Sequence, residues 1–259
     1  MNMLKPTKVF RCILMLVILL LAGIELSAQP LRVAVAANAQ GVIRKLQADF
    51  KKQTGIEIET IIGASGKLTT QIMNGAPFDV FLSADTEFPE KLYAAGFGLK
   101  KPKIYALGSL ILCGQTNIDV KNWQKIITGT EVTKIAIANP KTAPYGKAAE
   151  QTLGFYKLKE KVASRLIYGE SISQVNTYIQ TGVVSMGFTT EAFLYEQSDK
   201  AELKWVRVDQ NSYEEIAQSV ILLSYSKRKL AQATRFYEYL SSSSASKIIG
   251  ANGYHLPKQ

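Results

Sequence analysis

Asn38, Ser65, Tyr145 and Ile172 each stand where an apolar strand gives way to a helix, and each brings a hydrogen-bond donor to that point. Asn38 ends the run Leu31-Arg32-Val33-Ala34-Val35-Ala36-Ala37. Ser65 lies in Gly63-Ala64-Ser65-Gly66, after the strand-like stretch from Ile56 to Ile62. Tyr145-Gly146 follows Ile135-Ala136-Ile137-Ala138 and the rigid pair Ala143-Pro144, and Ile172 follows Tyr168-Gly169-Glu170-Ser171. The first turn of a helix carries N–H groups without an intrahelical acceptor at the positive end of its dipole, which makes it an anion site. Taken singly, each residue is explained by helix capping. Four together, two from each half of the chain, point to one shared site for a small oxyanion that is held rather than transformed.

The same residues exclude other chemistries. Gly63-Ala64-Ser65-Gly66-Lys67 imitates a phosphate-binding P-loop, but Ile61 stands where that motif needs Gly and Leu68 where it needs Ser or Thr. Ser65 has a Gly two places before it but Lys67 two places after, and the only histidine is His255, so a hydrolase using Ser65 lacks both elbow and base. Once Cys12 leaves with the leader described below, one His and one Cys cannot build a zinc or copper site. Asp79 and Asp85 flank a strand end, where capping is the commoner role. Cys113 follows Leu110-Ile111-Leu112 and reads as core. Ser171 with Gln174 fits a capping box and leaves the Ile172 N–H free. Asn38 can cap its helix or turn its amide N–H outward. Ser65 sits in a Gly-flanked turn, so its hydroxyl is expected to be of little use to the core.

Residues 1–28 read as a secretory signal peptide: Lys5, Lys8 and Arg11, then the apolar run Ile13 to Ala22, then Ser27-Ala28. Cleavage there removes Cys12 and leaves Cys113 alone, with no internal disulfide available. It removes three positive residues and one negative, Glu25, taking the formal charge from +10 to +8. The lysines are scattered over predicted helix faces and loops, and no aromatic-interleaved basic stretch marks a nucleic-acid path. A positive surface raises the encounter rate with a small anion.

From Leu31 onward strands and helices alternate over short connections, which predicts an α/β protein with mostly parallel sheets flanked by helices. A second such series starts at Ser109, and the late strand Ser219 to Leu223 precedes two terminal helices. The expected organisation is two lobes, residues 29–110 with 222–259 and residues 111–221. Two crossing segments near 109–114 and 217–223 would form the hinge.

At these residues the chain resembles the periplasmic molybdate-binding proteins, the solute-binding components of molybdate ABC importers. The resemblance runs from Leu31 to Tyr254. It rests on Val33-Ala34-Val35-Ala36-Ala37-Asn38, Gly63-Ala64-Ser65-Gly66, the stretch from Gln71 to Asp85, Asn139-Pro140 and Pro144-Tyr145-Gly146. It implies a two-lobed periplasmic solute-binding protein of type II-like fold, not an enzyme, with molybdate or tungstate in the cleft and no cofactor. It places the contacts to the molybdate oxygens, without direct metal ligation, on Asn38 (side chain and nearby N–H), Ser65 (hydroxyl and N–H), and the N–H groups of Tyr145 and Ile172. Thr190 stands where some members use a longer Tyr hydroxyl. The implied partners are an inner-membrane permease and its ATPase, and the implied form is a monomer exported to the periplasm. The competing readings are a binder of sulfate or phosphate, an exported hydrolase using Ser65, and a sensor ectodomain that docks on a separate receptor.

Overall fold

Five of the six residues of the first strand are buried, so this run must be covered on both faces, as strands inside parallel sheets are. In the computed structural model, which describes residues 29–196 and 203–257, it lies one place in from the edge of a six-stranded sheet. The leader assigned to residues 1–28 lies outside the described residues.

The elements follow in order: β1 (Leu31–Ala36), α1 (Gln40–Thr54), β2 (Ile58–Gly63), α2 (Ser65–Met73), β3 (Val80–Ser83), α3 (Glu87–Ala94) and β4 (Lys103–Gly108). The chain continues with β5 (Leu110–Gly114), α4 (Trp123–Ile126), β6 (Ile135–Ala138), α5 (Pro144–Phe155), α6 (Lys159–Val162), β7 (Leu166–Gly169), α7 (Ile172–Gln180) and β8 (Met186–Thr190). It closes with α8 (Phe193–Glu196), β9 (Lys204–Arg207), β10 (Ile216–Leu222), α9 (Leu230–Tyr239), α10 (Ser243–Gly250) and β11 (Tyr254–His255).

Two sheets result, in the orders β11-β4-β10-β3-β1-β2 and β7-β6-β8-β5-β9. Each is mixed. Strands β1, β2 and β3 run parallel, as do β6, β7 and β8, because a helix returns the chain between them. The antiparallel pairings are β10 beside β3 and β4, β11 beside β4, and β5 between β8 and β9. Strands β4, β9 and β11 carry too weak an apolar pattern to be read from sequence; β9 is mostly exposed and β11 is two residues long.

The chain passes between the sheets at Gly108-Ser109-Leu110 and again between Arg207 and Ile216. The second crossing therefore lies earlier than the expected 217–223, and residues 216–221 belong with the first sheet rather than with 111–221. The reason is packing: all seven residues of β10 are buried, and the strand pairs on both edges within the first sheet. Leu110 likewise pairs with Thr190 in the second sheet.

Candidate functional site

The carboxyl ends of β1 and β2 in one lobe, and of β6 and β7 in the other, face a common cleft. Helix starts follow each of them, at the place where ligands bind in open α/β sheets. The cleft narrows to a pocket lined by Ala36, Ala37, Asn38, Ala64, Ser65, Ala84, Ala143, Pro144, Tyr145 and Ile172. Asn38, Ser65, Tyr145 and Ile172 are thus brought together. Thr190 is not in that lining; it lies behind Tyr145.

Each donor has a local cause. Asn38 lies in a single 3-10 turn, Ala37–Ala39, closed by the Gln40 N–H donating to the Ala37 carbonyl, and the Asn38 N–H stands too early in the turn to have a partner within it. Ser65 is the first residue of α2 after extended Ala64. Pro144 opens α5 and has no N–H, while Gly146 and Lys147 both donate to the Ala143 carbonyl, leaving the Tyr145 N–H as the first-turn donor. In α7 the Ser171 hydroxyl accepts from the Gln174 N–H at 3.4 Å. The reciprocal bond of the expected capping box is displaced by one residue: the Gln174 side chain accepts from the Glu170 N–H at 2.7 Å. Ile172 keeps its N–H at the cleft.

Two side-chain expectations change. The Ser65 hydroxyl accepts from the Ala84 N–H at 3.1 Å and is almost wholly buried, so it does serve the core. Its own proton stays free to point at the pocket. The Asn38 amide does not turn its N–H outward: Nδ2 donates to the Gln218 side chain at 2.7 Å and to the Tyr254 hydroxyl at 2.9 Å. The Tyr254 hydroxyl in turn donates to the Asn38 carbonyl at 2.8 Å. Gln218 and Tyr254 therefore hold the Asn38 side chain, a contact that sequence reasoning missed, since they lie 180 and 216 residues away from it.

No charged side chain lines the pocket. Burial pushes the Tyr145 phenol well up, against the pull of its bond with Thr190, so it is neutral at physiological pH. The adjoining cavity, about 210 Å³, is charged instead, with Asp85, Glu87, Lys147 and Glu214 on its walls. Burial pushes the Asp85 carboxyl up to about 6, although the Ser83 hydroxyl and the Phe88 N–H both donate to it. Lys147 reaches Glu214 at 3.1 Å and, across the cleft, Glu87 at 3.4 Å. Asp79 is not at the site; its carboxylate accepts the Arg32 N–H at 2.8 Å. His255 is exposed on β11, and Cys113 is buried in β5. No group of His, Cys, Asp and Glu suited to a metal ion occurs among the described residues.

A pocket of neutral donors between two lobes defines the class as a solute-binding protein of the periplasmic type. The family model for bacterial extracellular solute-binding proteins matches residues 31–255. The molybdate-binding protein ModA of Azotobacter vinelandii is 35% identical over 230 residues, covering 88% of this chain and 91% of that protein. The protein of the same description from Rhodobacter capsulatus is 33% identical, covering 85% and 86%. The solved structure of the Azotobacter vinelandii periplasmic molybdate-binding protein superposes with a TM-score of 0.82 at 34% identity, over 88% of this chain and all of that one. The chain belongs to the molybdate-binding protein ModA family of bacterial extracellular solute-binding proteins, which are binding proteins and not enzymes.

Proposed function

We propose that this protein captures molybdate, and with it tungstate, in the pocket between its lobes and delivers it to an inner-membrane ABC importer, a permease with its ATPase. The observation that carries this reading is the convergence of four helix starts, two from each lobe, on one uncharged pocket. The names borne by the relatives point to the same anion. In this reading the N–H groups of Asn38, Ser65, Tyr145 and Ile172 and the Ser65 hydroxyl contact the oxyanion. Export through the leader at residues 1–28 places the protein in the periplasm as a monomer.

Charge-assisted hydrogen bonds contribute roughly 1.5–3 kcal/mol each, so about five of them supply a total comparable with or above the roughly −8 kcal/mol of a micromolar complex, before the cost of closing the lobes. A lining of donors also selects by protonation. Molybdate and tungstate carry no proton near neutral pH, whereas hydrogen phosphate brings an O–H that would face a donor.

Neither lobe alone completes the shell, so binding favours the closed arrangement of the two crossings. Calorimetry of the protein lacking residues 1–28 against molybdate, tungstate, sulfate and phosphate tests the assignment, and comparable affinity for sulfate would overturn it. Molybdate should raise the melting temperature as well, since a hundredfold excess over the dissociation constant adds about 2.7 kcal/mol to stability.

A further inference from the structure

Tyr145 reaches in two directions. Its N–H lies in the first turn of α5 at the pocket, and its ring is fully buried. At the far end, its hydroxyl accepts from the Thr190 hydroxyl at 3.0 Å, and the Thr190 oxygen accepts from the Ala192 N–H at 3.3 Å. That end of the ring abuts Gly108, the last residue of β4, where the chain leaves the first sheet. A Cβ at Gly108 would lie 2.0 Å from the Tyr145 hydroxyl oxygen and 3.1 Å from the Gln218 side-chain nitrogen.

Gly108 does not have the positive φ that makes glycine a backbone necessity. Space is the reason for glycine here: the residue is bare so that a hydroxyl from the other lobe can seat against the crossing. The same seat is continuous with the opposite wall of the pocket. Gln218, beside Gly108, accepts the Asn38 amide at 2.7 Å. A buried polar seam thus runs from Asn38 in one lobe through Gln218 and Gly108 to Tyr145 and Thr190 in the other.

We propose that the Tyr145 hydroxyl, seated against Gly108, is a positioning element that couples the crossing between the lobes to the placement of the Tyr145 N–H at the anion. Full burial of the ring fixes its torsions, so the hydroxyl and the backbone of Tyr145 move together: arrangements that seat the hydroxyl also present the N–H, and arrangements that unseat it withdraw the N–H. Thr190 then acts through Tyr145 and not on the ligand. This inference rests on the molybdate-clamp reading and assigns a part to residues which that reading leaves idle.

The test titrates sodium molybdate into Tyr145→Phe, Thr190→Val, their double variant, and Gly108→Ala made in both the parent and the Tyr145→Phe background. Each protein is also melted without ligand. Tyr145→Phe keeps the N–H and the ring, and should weaken binding about tenfold, on the scale of one lost hydrogen bond. Thr190→Val should do the same, and the double variant should be little worse than either. Gly108→Ala should weaken binding strongly in the parent and much less where the phenolic oxygen is gone, a suppression that general loss of packing would not produce. A parent that fails to bind molybdate sinks the proposed function itself. A parent that binds it, with Tyr145→Phe within twofold and Gly108→Ala equally costly in both backgrounds, overturns this inference alone.

Discussion

The Gly66 N–H, in the first turn of α2, donates to the Thr142 carbonyl at 2.9 Å, although Gly66 belongs to the first lobe and Thr142 to the loop ahead of α5 in the second. A backbone donor that the helix leaves unpaired is thus spent on the opposite lobe. The approach is close. A Cβ at Gly66 would stand 2.9 Å from the Phe88 ring, 3.0 Å from the Thr142 Cα and 3.2 Å from its carbonyl oxygen.

Gly66→Ala should therefore hold the lobes apart, because Thr142 presents backbone atoms that cannot rotate away. Molybdate affinity is expected to fall by about tenfold or more, equivalent to some 1.4 kcal/mol or above. The ligand-free melting temperature should change less than the affinity, since Ala favours the helix while the Phe88 ring within the same lobe must shift to admit its Cβ. Small-angle scattering with saturating molybdate reads the outcome: an unchanged radius of gyration and unchanged affinity would dismiss the contact as incidental.

Ser65→Ala should cost twice. Losing the hydroxyl donor weakens molybdate binding by roughly 1–3 kcal/mol, and leaving the buried Ala84 N–H without its acceptor costs about 1–3 kcal/mol of folding stability. Calorimetry measures the first effect and ligand-free thermal melting the second. If melting is unchanged, the Ala84 bond has been replaced by water.

Asp85 sets a pH dependence. Its folded pKa is raised to about 6, so between about pH 4 and pH 6 the folded state binds the proton that the unfolded state has released, and stability falls as pH rises through that window. Both hydrogen bonds to Asp85 converge on Oδ1, which Asn can reproduce. Asp85→Asn should flatten this part of the stability profile and raise stability at pH 7 by about 1–3 kcal/mol. Urea melts at pH 4.5 and pH 7 would show it, and a variant no more stable than the parent at pH 7 would count against the raised pKa.

Arg207 holds the Glu191 carboxylate with two bonds, Nε at 2.8 Å and a terminal nitrogen at 2.6 Å, while the Glu191 side chain is only 4% exposed. Arg207→Ala would strand that carboxylate, at a cost of roughly 2–4 kcal/mol. Replacing both residues, Arg207→Ala with Glu191→Gln, should recover much of the loss. Denaturant melts of the parent and the two variants decide, and equal stability of all three proteins would show the pair to be idle.

What the sequence determined by itself is local. Whether a first-turn N–H has an acceptor inside its own helix depends on residues within four places along the chain, so the unpaired donors at Ser65, Tyr145 and Ile172 follow from the strand–turn–helix order, from Pro144, and from the Ser171 cap. The parallel portions of both sheets were legible for the same reason, because a buried strand and its crossover helix each declare their periodicity in a short window. Only the tertiary structure decided which partners the side chains take. The Asn38 amide is claimed by Gln218 and Tyr254, the Ser65 oxygen by Ala84, and the Thr190 hydroxyl by Tyr145. Strand β10 joined the first sheet because it is buried on both faces there, which moved the second crossing ahead of Ile216. Such contacts join residues far apart in the chain, and short-range spacing carries no record of which distant group will meet a given donor once the core has closed.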